Sequence, residues 1–363
     1  MPEKPKPKPQ KKSTPQPPDT PLPVQLEEFA KPYALVSLPR QAPRRGSPAG
    51  QERFRRDRLT GKLHLRLTVK TTAFVASGVV AMGSDLSSNK TKNPPLIKTA
   101  VERDNRLIIP GSSLKGVVRS AYEAITQSCL CKTKADKTKI PDGYRECNQK
   151  DNREYNKKDN FCPACQVFGA LNWQGLIQFP DAEAVEADFT VGFMPSLKSP
   201  SRDFPGYYIN GKVAGRKFYY HAIRAVDKGQ QQGIAVQQAG GEFVFTTRLR
   251  YMNLTKAELG TLLIILGQDK SYPNIALKVG GGKPVGMGTM TVEVTEIEQF
   301  GSGRERYSSY QTEPQSLTGE KMRQFMEQSI KDAHNQLVQS RQLQELSQVL
   351  QWPTDREPPE GMY

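Results

Sequence analysis

Five cysteines occupy one short window: Cys129, Cys131, Cys147, Cys162 and Cys165. The last two form a C-P-A-C knuckle, which sets two thiolates on one turn; thiolates from farther along the chain can complete a tetrahedral four-sulfur site for Zn2+. The stretch CKTKADKTKIPDGYRECNQKDNREYNKKDNFCPAC (131–165) is polar, lysine-rich and nearly free of aliphatic residues. It has too little apolar surface to fold by burial, so a bound metal would supply the missing folding energy. Cys131, Cys147, Cys162 and Cys165 are the preferred ligands, with Cys129 as substitute. The alternative is a redox C-x-x-C, which needs a thioredoxin-like setting that the flanking residues do not provide.

A second constellation reads LIIPGSSLKGVVRS (107–120). An apolar run stops at Pro110-Gly111 and a helical pattern follows. A helix N-terminus presents unpaired N–H groups and a partial positive charge. Ser112 and Ser113 add hydroxyl donors, Lys115 a full charge, and Gly111 and Gly116 room for a ligand to approach. These types at this spacing suit a phosphate, although the motif is no P-loop, and a capped helix with an exposed lysine is the plain alternative. A third, ALKVGGGKPVGMGTMTVEV (276–294), is a glycine-rich loop entering a strand. Gly280, Gly281, Gly282, Gly286 and Gly288 can bring backbone amides near a phosphate, with Lys283 above them.

Between these lies MPSLKSPSRDFPGYYINGKVAGRKFYYH (194–221), where Tyr207, Tyr208, Phe218, Tyr219 and Tyr220 are interleaved with Lys198, Arg202, Lys212, Arg216 and Lys217. Bases of single-stranded RNA or DNA stack on aromatic faces while Lys and Arg track phosphates; tyrosines packed beneath a loop are the alternative. The whole chain leans the same way. Its 363 residues carry 52 Lys and Arg against 37 Asp and Glu, a formal net charge of +15, which favours polyanionic partners. No apolar stretch approaches the roughly 20 residues that span a bilayer, so no membrane partner is expected. The first residues lack the apolar run of a signal peptide, and a cytoplasmic location, with thiols kept reduced, is the expectation.

The elements that must position these groups follow from periodicity. Residues 1–58 are rich in Pro, Lys and Arg and poor in aliphatics, which predicts a mostly extended, disordered basic arm. From Leu63 the chain alternates: Leu63, Leu65, Leu67 and Val69 face one way and His64, Arg66, Thr68 and Lys70 the other, as in a half-buried strand. His64 thus belongs to the polar face. SSLKGVVRSAYEAITQ (112–127) predicts a helix through Leu114, Val117, Ala121 and Ile125. A strand follows through Phe243, Phe245 and Leu249, then a helix capped by Thr255 and running through Leu259, Leu262, Leu263 and Leu266. This order fits an α+β, ferredoxin-like core with loops inserted at one end. After a polar linker (301–315), one amphipathic helix is expected from Thr318 to Leu350, its apolar stripe packed on this domain or on a neighbouring subunit.

The segments IPGSSLKGVVRSAYEAI, CPACQVFGA…GLIQFPDA, GEFVFTTRLRYMNLTKAELGTLL and GGGKPVGMGTMTV appear in an order that resembles RAMP-superfamily backbone subunits of type III CRISPR effector complexes. GRKFYYH (215–221) is most similar to the III-D and III-E branches. The resemblance covers about residues 60–300. It implies an RRM-like core over 59–300, into which the zinc-binding insertion read from the cysteines (129–165) falls, and partners that are CRISPR RNA, target RNA and other effector subunits. The serine–lysine turn (Ser112, Ser113, Lys115, with Arg119 one turn on) and the glycine loop (Gly281, Gly282, Lys283) would hold the guide backbone, joined by Arg216 and Lys217. A thumb hairpin within 190–221 would interrupt pairing with the target. The arm and the C-terminal part (301–363) fall outside the resemblance.

Slicing members of the family carry an aspartate just before a stretch that here reads NPPLIK (93–98), and the matching position is Asn93. Asn can neither act as a general base nor bind a metal as an anion, so the resemblance implies a subunit that does not slice at its own site. Asp85, eight residues upstream, is the remaining candidate for a Mg2+-dependent target-RNA endoribonuclease. Precursor-RNA processing would have to draw on His64, His221 or the tyrosines, and His221 has no partner cluster in the sequence. A generic zinc-containing single-stranded RNA-binding protein, working as a lone monomer, is the third possibility.

Overall fold

The computed structural model describes residues 31–86, 94–147, 160–197, 204–226, 233–301 and 314–359. Residues 1–30 of the expected arm lie outside these, as do Asn93, Lys198 and Arg202. In chain order the principal elements are β1 (Tyr33–Ser37), β2 (Leu59–Val69), β3 (Ala76–Met82), β4 (Leu96–Ala100), β5 (Arg106–Ile109), α1 (Gly111–Ile125), α2 (Pro163–Phe168) and β6 (Ala182–Ala184). They continue with β7 (Thr190–Pro195), β8 (Gly215–Tyr219), β9 (Gly233–Gln238), β10 (Val244–Leu254), α3 (Lys256–Ile265), β11 (Leu277–Lys278), β12 (Thr289–Gln299), β13 (Gln315–Leu317), α4 (Gly319–Gln336) and α5 (Ser340–Val349).

Leu63, Leu65, Leu67 and Val69 are buried and the residues between them are not, the period of a strand covered on one face. The strand they form, β2, lies inside an antiparallel sheet of order β11-β12-β2-β10-β6-β5. Helices α1 and α3 supply Leu114, Val118, Ala121, Leu259, Leu262 and Leu263 to the same apolar cluster as that covered face. Val118, fully buried, takes the position that periodicity assigns to half-buried Val117. Thr255 caps α3 as expected: its hydroxyl accepts from Glu258 N at 3.0 Å while the Glu258 carboxylate accepts from Thr255 N at 2.7 Å, a reciprocal box contributing about 1 kcal/mol. A smaller sheet, β7-β9-β4-β3, has its only parallel pair at β9 and β4. The architecture is mixed α+β.

Two regions differ from the expectation. The arm does not run free to residue 58, because β1 pairs antiparallel with β8 and Val36 is fully buried. The Ser37 amide and hydroxyl also donate to the Glu345 carboxylate of α5, at 2.7 and 2.9 Å. The C-terminal helix is broken in two. Val338 turns inward, and Gln339 N donates to the Ile125 carbonyl at the end of α1, which closes off one helix and opens the next. Both halves pack on this chain's own core. Helix α4 lies so close to α3 that a Cβ at Gly260 would strike the Ser329 carbonyl. Among the described residues no helix is long and apolar enough to cross a membrane.

Candidate functional site: a basic groove beside a thiol cluster

Helix α1 begins where β5 stops. Pro110 occupies the N-cap position and offers no side-chain cap. Asp181 caps instead: its Oδ1 accepts from Gly111 N at 2.9 Å, and Arg103 Nη2 holds Oδ2 at 2.8 Å. The Gly111 hydrogen bond, ahead of Arg103, holds the Asp181 carboxyl below its usual range. Neither serine serves as N-cap, so both hydroxyls are left at a cavity wall. Gly111 sits against the Phe179 carbonyl, whereas a Cβ at Gly116 would meet only open space.

The glycine loop is zipped onto the chain leaving β2. Gly281 N donates to Phe74 O at 2.8 Å and Gly288 N to Thr72 O at 2.7 Å, while Thr71 Oγ1 donates to Gly286 O at 2.9 Å. Gly280, at φ 83°, abuts the Phe74 carbonyl so closely that no Cβ fits. The expectation of an amide cradle therefore needs correction: the Gly281 amide serves the protein and Gly282 is buried. Positive charge at this bend comes from side chains. Lys283 is half-buried, and burial lowers its pKa. Lys278, which the sequence analysis missed, is 5 % exposed and donates to Gly286 O at 3.3 Å. Burial, with Lys283 nearby, pushes it down to about 7. The signal was a lysine on the polar register of Leu277–Val279 directly before the glycines.

The two bends meet. Ser112, Ser113 and Gly116 line a cavity of about 520 Å³ together with Lys278, Gly281 and Lys283. A second cavity of about 710 Å³ adjoins it, sharing Ser112, Gly116 and Lys217 and adding Lys115 and the rings of Tyr207 and Tyr208. Lys115 donates weakly to Ile177 O at 3.4 Å, and burial, then Arg119, lowers its pKa. Lys217 stands 3.8 Å from the centre of the Tyr33 ring and donates to Tyr207 Oη at 3.1 Å. Basic and aromatic groups thus share one groove.

Arg119 and Arg216, expected to touch RNA, line the larger cavity as well, and their guanidinium donors bond within the protein. Arg119 donates to Glu123 Oε1 (2.7 Å), Gly169 O (3.0 Å) and Cys165 Sγ (3.3 Å). Arg216 donates to Ser128 O (2.8 Å), Cys129 O (3.0 Å) and Glu123 O (3.1 Å). Beside them the thiols of Cys129, Cys147, Cys162 and Cys165 lie within 4.8 Å of one another, all buried. The Cys129–Cys165 sulfur distance is 3.7 Å, close to the edge of about 3.8 Å that a tetrahedron of 2.3 Å Zn–S bonds has. Cys129 N and Cys162 N donate to Cys162 Sγ and Cys147 Sγ at 3.4 and 3.3 Å. The preferred set is corrected in one member: Cys129 joins the cluster, and Cys131, half-exposed beyond a tight turn from Cys131 N to Cys129 O, stands outside it. The four thiols fit zinc.

The remaining candidates lie elsewhere. Asp85 is exposed, accepts from the Ser84 hydroxyl at 3.2 Å and lines neither cavity. His64 on the polar face of β2 pairs with Glu298 at 2.6 Å, whose other oxygen accepts from Lys62. His221 is buried, hydrogen-bonded to Thr289 Oγ1 and Ala276 O, and pushed down to about 3 by burial and Lys278. It is neutral, and its contacts are those of a structural residue.

The family model of the RAMP superfamily matches residues 66–291. The chain belongs to the RAMP superfamily. The matched span of this RAMP chain contains α1, all five cysteines and the glycine loop, and leaves out β1, α4 and α5. No curated protein matches the chain. Among solved structures it is similar to one described as "Cryo-EM structure of the Type III-B Cmr-beta bound to cognate target RNA", at 16% identity and a TM-score of 0.33. That similarity covers 67% of this chain and spans 61% of the other.

Proposed function

We propose that this RAMP chain is a CRISPR RNA-binding backbone subunit of a type III effector complex, III-D/III-E-like, that positions guide and target RNA. The observation that carries the reading is the convergence of the serine–lysine turn and the glycine loop on one cavity. The two bends are more than 160 residues apart in sequence (Lys115 to Lys283), so neither explains the other's presence. The groove offers Lys115, Lys278 and Lys283 to phosphates, hydroxyls to sugar or phosphate oxygens, and tyrosine faces to unstacked bases. The ferredoxin-like reading of the core draws support from strand order: β2, β6, β10 and β12, with α1 after the first and α3 after the third, lie in the order fourth-first-third-second. The four-thiol cluster would hold a structural Zn2+, supplying the cross-link that a lysine-rich insertion lacks.

The chain holds RNA without slicing it. Asp85 lies outside the groove beside the Ser84 hydroxyl, and the family's aspartate position carries Asn93. The protein works in the cytoplasm beside other effector subunits. The test is the RNA that co-purifies. A single length carrying a repeat-derived tag is expected, whereas heterogeneous RNA would identify a generic single-stranded RNA binder. A target-cleavage product lost on Asp85→Ala would overturn the non-slicing part.

A further inference from the structure

The groove and the thiol cluster share two arginines. Arg119 lies on α1 one turn after Lys115, and Arg216 lies on β8 immediately before Lys217. All four line the groove, but the guanidinium donors of both arginines are taken up by the protein on its cysteine side. Arg119 Nη2 donates to the Cys165 sulfur itself at 3.3 Å, and Arg216 Nη2 to the carbonyl of Cys129 at 3.0 Å. Glu123, 6 % exposed, joins them: its carboxylate takes Arg119 at 2.7 Å and Arg216 at 3.6 Å.

Charge explains why a buried carboxylate needs two arginines here. Four thiolates around a divalent ion carry a net charge of about −2, and Glu123 adds one more. Buried negative charge of this size needs cationic, hydrogen-bonded compensation, and an N–H donor to a ligating sulfur orients the ligand and tunes the metal. Glu123 in turn fixes both guanidiniums, so the helix and the strand that frame the groove are pinned to the same centre.

We infer that Arg119 and Arg216 are outer-sphere partners of the four-cysteine metal centre, and that through them the bound metal holds α1 and β8 at the separation the RNA groove requires. This rests on the metal reading above. Arg119 is a positioning residue: its charge acts on the sulfur, and its effect on RNA is indirect.

Cobalt-substituted protein tests it. The wild type should bind one Co2+ and show tetrahedral d–d absorption; no cobalt uptake would overturn the metal reading itself. In Arg119→Met, which keeps an unbranched apolar stem but removes the donor, the sulfur-to-cobalt charge-transfer band should shift to lower energy. Metal affinity should drop about 10- to 100-fold. Arg119→Lys, which retains a cation, should recover part of both, and it serves as the readout if the methionine variant fails to fold. With saturating zinc, Arg119→Met should keep the wild-type salt dependence of RNA binding, and chelation should weaken RNA binding until zinc is returned. An unchanged cobalt spectrum and metal affinity, with a salt slope reduced by about 0.7, would make Arg119 a phosphate contact and overturn the inference.

Discussion

The amide of Gly281 donates to the carbonyl of Phe74 at 2.8 Å, which anchors the glycine loop to the chain leaving β2, on the cavity it shares with the start of α1. In the proposed reading, side chains of this groove rather than loop amides would meet the RNA. Gly116 gives the cleanest test of how close that ligand comes. A Cβ there meets no protein atom and the position is helical, so Gly116→Ala should stabilise the protein by about 0.5–1 kcal/mol. It should nonetheless weaken RNA binding, because the methyl group would stand where the proposed reading brings the RNA backbone. Thermal unfolding and RNA titration on the same sample check both signs, and equal or tighter binding would remove the strand from this wall.

RNA affinity should depend on pH through Lys278. Its folded pKa is about 7 against an ordinary 10.5. A bound phosphate favours the protonated form, so affinity should fall by up to about tenfold as pH rises from 6 to 8. Folding responds in the opposite sense: between about 7 and 10.5 the unfolded chain keeps a proton that the folded one has lost, and stability from this residue rises across that window. Lys278→Met should flatten the binding profile. A slope that persists in the variant would belong to another group.

The thiol cluster makes a prediction about single cysteines. Cys131→Ser should retain about one zinc per chain, while Cys129→Ser should lose most of it, since a buried four-sulfur site with a hydroxyl in place of one thiolate binds zinc poorly. Metal analysis of the two purified variants decides, and the reverse result would restore Cys131 to the site.

Residues 33–37 should behave as core. Val36 is fully buried between β8 and the C-terminal helices, so Val36→Ala should cost about 1–3 kcal/mol. Denaturant unfolding would show no change if this segment were the free arm that its surroundings suggest.

The sequence reveals what depends on local period and misses what depends on distant pairing. Leu63 to Val69 announce a half-buried strand, and Thr255 with Glu258 announces a capped helix, because each signal lies within a few residues. The strand YALVS is hidden in a Pro- and Lys-rich composition, and its partner Gly215–Tyr219 lies about 180 residues away. Cys129 and Cys131 are equivalent as spacing; only the turn between them decides which thiol points inward. Arg119 and Arg216 read as RNA-binding cations, and their bonds to Glu123 and the cysteine segment emerge only once those residues are placed beside them. Lys115 and Lys283, each marked by a neighbouring glycine in the sequence, do line the two adjoining cavities.

The most direct test is the salt dependence of RNA binding by the wild type, Lys115→Met, Lys283→Met and the double variant. If the two bends hold one sugar–phosphate chain, each single substitution should lower the slope of log K against log salt by about 0.7, and the double variant by about 1.4. Affinity should fall without loss of fold. Four superimposable slopes would mean that no phosphate sits between Lys115 and Lys283, and the groove would not be the RNA site.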